Sequence, residues 1–96
     1  MLDPKYELAL EKAFKELHHC AARHVRTVPV VKILQGKTVW KGDVEVFNLV
    51  GHPNTDTGYA WAHGRGKGWN IVVVLGIPPV VSPETAVHAS IGKLPE

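Results

Sequence analysis

Six histidines in 96 residues are the first side chains that could do chemistry, and most fall into two groups. His18, His19, Cys20 and His24 lie close together in the chain. In a helix, the four-residue step from Cys20 to His24 puts a thiol and an imidazole on one face, as two metal ligands would need. Zinc requires two further ligands, and no Cys-x-x-Cys or His-x-x-x-His pair supplies them. The simpler reading has Cys20 as a small core residue and His24 at the helix end, so no metal is expected. The second group, His52, Asp56, Tyr59 and His63, flanks a polar loop. It could form a cleft with His52 and His63 as general acid and base and Asp56 as the orienting carboxylate. No nucleophile motif accompanies it, and Gly51-His52-Pro53 reads equally as a turn.

A third candidate is the basic tip Gly64-Arg65-Gly66-Lys67-Gly68. Arg65 and Lys67, with Trp61, Trp69, Lys32 and Lys41 nearby, could hold a nucleic-acid backbone. The tip precedes a strand rather than a helix, so phosphate-loop geometry is not met. A net charge of +2 is too mild to argue for nucleic acid. Finally, Phe47, Tyr59, Trp61 and Trp69 all fall on strands or strand ends, where aromatics line pockets or fill cores and interfaces.

These groups need elements to position them. Asp3-Pro4 is a helix-start signal. Beyond it Tyr6, Leu10, Ala13, Phe14, Leu17, Cys20, Ala21 and His24 recur at helical steps, which predicts a helix ending between Val25 and Pro29. Residues 28–35 read as a strand, with Pro29 either placing it at an edge or falling among its first residues. A turn at Gly36-Lys37 then pairs Ile33 with Trp40 and Val31 with Gly42. In that register Val31, Ile33, Trp40, Val44 and Val46 share an apolar face, and Lys32, Lys41, Asp43 and Glu45 a charged one. Phe47 and Leu49 break the pattern, which implies a bulge or a second buried face. Residues 59–63 form a short strand. Residues 69–77 are apolar on both sides, as in a central strand. Ser82-Pro83 starts a short second helix.

The result is one α+β domain over residues 1–96: an N-terminal amphipathic helix, a four-stranded antiparallel meander and a short C-terminal helix. With 45% hydrophobic and 21% charged residues the chain is globular. A single cysteine excludes an intrachain disulfide. With no membrane span or leader visible, the expected location is the cytoplasm. Two helices on one face would leave Phe47, Leu49 and half of residues 71–75 uncovered, which predicts burial against a second copy.

The stretches V-W-K-G-D-V-E-V-F-N-L-V-G-H-P (39–53), Tyr59-Ala60-Trp61 and V-V-V-L-G-I-P-P-V-V-S-P-E-T-A-V-H-A-S-I (72–91) resemble small uncharacterised bacterial proteins, several of them carried on integron gene cassettes. The first helix is outside this resemblance. It implies a bacterial accessory protein with a structural or binding role, and it carries over no catalytic residue or cofactor. The leading expectation is thus a non-enzymatic homo-oligomer that binds a small ligand or protein partner at an aromatic-lined seam of Phe47, Leu49, Tyr59, Trp61 and Trp69. The alternatives are a small enzyme at His52 and His63 and a nucleic-acid module at Arg65 and Lys67.

Overall fold

Helix signals at both ends and four strand-forming runs between them fold as that pattern dictates. A computed structural model describes residues 2–63 and 70–92. Its elements are α1 (Pro4–His18), β1 (Ala21–Leu34), β2 (Lys37–Val50), β3 (Thr57–His63), β4 (Asn70–Leu75) and α2 (Pro83–Gly92). The strands form one antiparallel sheet in the order β1-β2-β3-β4, so the expected α+β meander is what the chain adopts. Arg65, Lys67 and Trp69 lie outside the described residues.

The two helices lie on opposite faces of the sheet, not on one. Leu10 and Phe14 of α1 pack with Cys20, Phe47, Leu49 and Ala60. Ala86 and Val87 of α2 pack with Val30, Val44, Val46, Tyr59, Trp61 and Val80 on the other side. Each large apolar side chain buried this way stabilises the fold by roughly 1.5–3 kcal/mol. The exposed Lys12–Glu16 pair on α1, at 3.8 Å, contributes only about 0.3–0.5 kcal/mol. Apolar burial therefore decides where α1 sits. The even-numbered side chains of β2 serve one core and the odd-numbered ones the other. Phe47 and Leu49 keep the alternation of Asp43 and Glu45, and the second face is simply buried as well. For the same reason β4 is apolar on both sides: Val72 and Val74 meet one core, and Ile71, Val73 and Leu75 the other. It lies at the sheet edge, however, not in the centre.

Three local expectations need correction. First, α1 stops at His18, because His19 takes a left-handed conformation (φ 54°) and its N–H closes the helix on the Lys15 carbonyl. Histidine is among the non-glycine residues that tolerate this region. Ala21 to His24 then join β1, where Ala22 faces Leu49 and His24 faces Phe47. Their tertiary pairing outweighs a helical spacing. Second, the hairpin turns at Gln35-Gly36, both at positive φ (51° and 77°), as a two-residue turn with primed geometry requires. Leu34 then faces Lys37 and Ile33 faces Thr38, and a bulge that leaves Val39 unpaired sets Lys32 opposite Trp40 and Val31 opposite Lys41. Val31 and Ile33 therefore leave the apolar face and stand 53% and 58% exposed. Third, Glu45 is not on a solvated face but is 2% exposed.

Candidate functional site

Glu45 is the side chain that composition and pattern hide most completely. It is an odd-numbered residue of β2, so it points under α1, flanked by Thr27 on β1 and Ala60 on β3. A register shift in β1 between His24 and Arg26 inserts Val25 as an extra residue. That bulge lets His24 and Thr27, three apart in sequence, reach the same face of the sheet. Both contact one carboxylate oxygen. His24 Nε2 lies 2.8 Å from Glu45 Oε1, and the Thr27 hydroxyl donates to the same atom. A carboxylate only accepts, so Nε2 carries the proton. The other ring nitrogen, Nδ1, is 3.8 Å from Glu7 Oε1 on α1, and Phe47 packs edge-on to the ring at 5.4 Å.

The surroundings of this cluster are acidic. Burial first, then a hydrogen bond and repulsion from Glu7, raises the Glu11 carboxyl above its ordinary value. Burial also raises the Tyr6 phenol, with the charges of Glu45 and Asp43 adding to it and a hydrogen bond from the Ala62 N–H opposing it. The arrangement satisfies a buried charge: among the described residues no buried side-chain nitrogen or oxygen lacks a partner. Thr27 commits its proton to Glu45, so the cluster holds β1, β2 and α1 together rather than presenting a nucleophile.

Of the expected catalytic group, His52, Asp56 and Tyr59 each engage other partners. The His52 Nδ1 accepts the Asn54 N–H at 3.1 Å, and its ring meets His18 edge-on at 6.1 Å. The Asp56 carboxylate accepts the Thr57 hydroxyl at 3.1 Å. Tyr59 is buried in the α2-side core. His63 ends β3 opposite Asn70, and its side chain lies outside the described residues. The first histidine group separates too: His18 meets His52, His24 meets Glu45, and Cys20 is buried in the α1-side core. Among the described residues no three His, Cys, Asp or Glu side chains gather as metal ligands.

Phe47, Leu49, Tyr59 and Trp61, the described residues of the expected aromatic seam, occupy this chain's own two cores. Phe47 is 0% exposed and Trp61 2%. Phe47 packs on Phe14 at 5.2 Å, and Trp61 on Trp40 at 5.5 Å. Apolar surface is left open elsewhere, on the far half of the β1–β2 hairpin. β3 pairs with β2 only from Glu45 to Asn48, so the hairpin beyond Asp43 forms an arm. One side of the arm is closed, because Trp40 folds back over Gly42 toward Trp61. The arm also carries Val31, Ile33, Leu34 and Val39, each 43–58% exposed. A separate groove of about 600 Å³ runs between α1 and the start of β1, with Leu8, Ala21 and Ala22 as apolar lining and Glu11, Lys12, Lys15 and Glu16 as its charged wall.

The chain matches no protein-family model, no curated protein and no solved structure. Among the described residues no helix is long and apolar enough to cross a membrane.

Proposed function

We propose that the protein is a non-enzymatic binding module that works as a homo-oligomer. The observation that carries this reading is the arm. After both sheet faces have been covered by the chain's own helices, Val31, Ile33, Leu34 and Val39 remain exposed together at one end of the molecule. Exposed apolar side chains gathered on one element support an interaction site there. The subunit contact proposed here is thus the arm rather than Phe47 and Leu49, which α1 already covers. The groove beside α1 supports the small-ligand side of the same reading. Its volume falls in the range of ligand sites, and its apolar lining with mixed charges suits an amphiphilic molecule. Light scattering at micromolar concentration tests the oligomer. A mass that is a multiple of 10.5 kDa is the expected result, and a monomer mass overturns the reading.

A further inference from the structure

We infer that the tip of the arm seats in the groove beside α1 of a second copy, so that copies join head to tail. This inference rests on the homo-oligomer reading above and adds the surface that receives the arm. Cross-strand pairing places Val31 and Ile33 on the face of the hairpin that carries Lys41, and Leu34 on the face that carries Lys32 and Trp40. All three apolar side chains are 43–58% exposed. A flat partner covers one face of a hairpin only, whereas a recess takes side chains from both. The groove is such a recess. Leu8, 65% exposed, lines it with Ala21 and Ala22, and about 600 Å³ gives room for several apolar side chains of the tip.

Charge and distance decide the occupant. Between Val30 and Gly42 the arm carries Lys32, Lys37 and Lys41 and no acidic residue. Two arms laid against each other would bring like charges together, which opposes a symmetric contact. The groove offers the opposite sign. Glu11 and Glu16 stand in its wall, and burial, then a hydrogen bond and repulsion from Glu7, raises the Glu11 carboxyl. Lys12 pairs with Glu16 at 3.8 Å. Glu7 and Glu11, with the His24 ring 3.8 Å from Glu7, are then the carboxylates open to an incoming lysine, which relieves their repulsion. The tip does not reach its own groove. Ala22 and Ile33 lie near opposite ends of β1, roughly 35 Å apart along the strand, in a molecule 39 Å in its longest extent. A second copy therefore supplies the tip. Because tip and groove are different surfaces, the contact is heterologous, and it closes into a ring or runs on as a chain. An amphiphilic small molecule in the groove competes with the tip for the same lining.

Complementary variants test this contact. Ile33→Lys spoils the tip and leaves the groove, and Leu8→Lys spoils the groove and leaves the tip. Both positions are more than half exposed, so both variants keep the fold, with far-UV circular dichroism as the check. Each variant alone is expected to associate at least about tenfold more weakly than wild type in sedimentation velocity. In an equimolar mixture the intact tip of one variant meets the intact groove of the other, and the expected species is a dimer that grows no further. If wild type is itself monomeric, the homo-oligomer reading fails along with this one. If wild type associates and Leu8→Lys associates equally well, the oligomer stands and the groove is not its seat. A mixture no more associated than its two components likewise overturns the head-to-tail contact.

Discussion

Glu45 shows what one residue contributes here. Replacing it with Ala removes the acceptor shared by His24 and Thr27, empties the buried space the carboxylate fills and leaves the largely buried His24 donor without a partner. The expected cost is about 3 kcal/mol in urea unfolding. Glu7→Ala removes a 3.8 Å contact with His24 and a hydrogen bond with Glu11 from a carboxylate that is 38% exposed, and is expected to cost less than about 1 kcal/mol. Equal losses in the two variants would contradict the assignment of Glu45 as the anchor. Gly58 is a second sensitive position: a Cβ there would lie 2.5 Å from Phe14 Cε1 and 3.2 Å from Leu49 Cδ1. Gly58→Ala is expected to destabilise by about 1–3 kcal/mol through overpacking, and an unchanged thermal midpoint would show that Phe14 can move aside. Tyr6 adds a pH dependence. Its pKa is raised above 10.0, chiefly by burial. The stability it contributes is therefore complete below pH 10 and is lost as pH rises through the folded value. Tyr6→Phe should flatten the fall in stability above pH 10. Glu45 was not legible in the sequence, because it alternates with Lys41 and Asp43 as a solvated charge would. The bulge that brings His24 to it has no local signature in Arg23-His24-Val25-Arg26.

At the scale of elements, the strand run from Thr38 to Leu49 and both helix starts were legible from period and capping chemistry. The signals that failed are those in which two readings share one pattern. Cys20, Ala21 and His24 fit a helical step, yet Ala22 and His24 also fit a strand, and only the pairing with Leu49 and Phe47 decides between them. Likewise, Gly36 marks the turn, but glycine suits either central position. The left-handed Gln35 moves the turn one residue from the expected place, and the bulge at Val39 then puts Val31 and Ile33 on the other face. The junction between α1 and the loop after β2 offers its own test. Burial first, then His52 and His19, lowers the His18 pKa below its ordinary 6.5. The neutral ring's contribution is thus full above pH 6.5 and is lost as pH falls through the folded value. His52→Gln removes one repelling charge and should move the His18 titration upward when followed by NMR. An unmoved midpoint would show that the ring contact of 6.1 Å carries no electrostatic coupling.

For the whole molecule, the sequence showed that two apolar faces needed covering but not how they would be covered. Counting Phe47, Leu49 and the apolar β4 against two helices leads to a second copy only if both helices share a face. With α1 and α2 on opposite faces the chain closes both cores itself, and the proposed contact moves to the arm. Two-sided helical cover is a matter of connection geometry across the sheet, which periodicity does not encode. The central claim is that this molecule meets its own copy through the arm. It is tested most directly by light-scattering masses of wild type and Ile33→Lys at the same micromolar concentration. Ile33 is 58% exposed, so the substitution leaves the fold intact. The account predicts an oligomeric wild type and a variant shifted toward 10.5 kDa. A variant as oligomeric as wild type would contradict it.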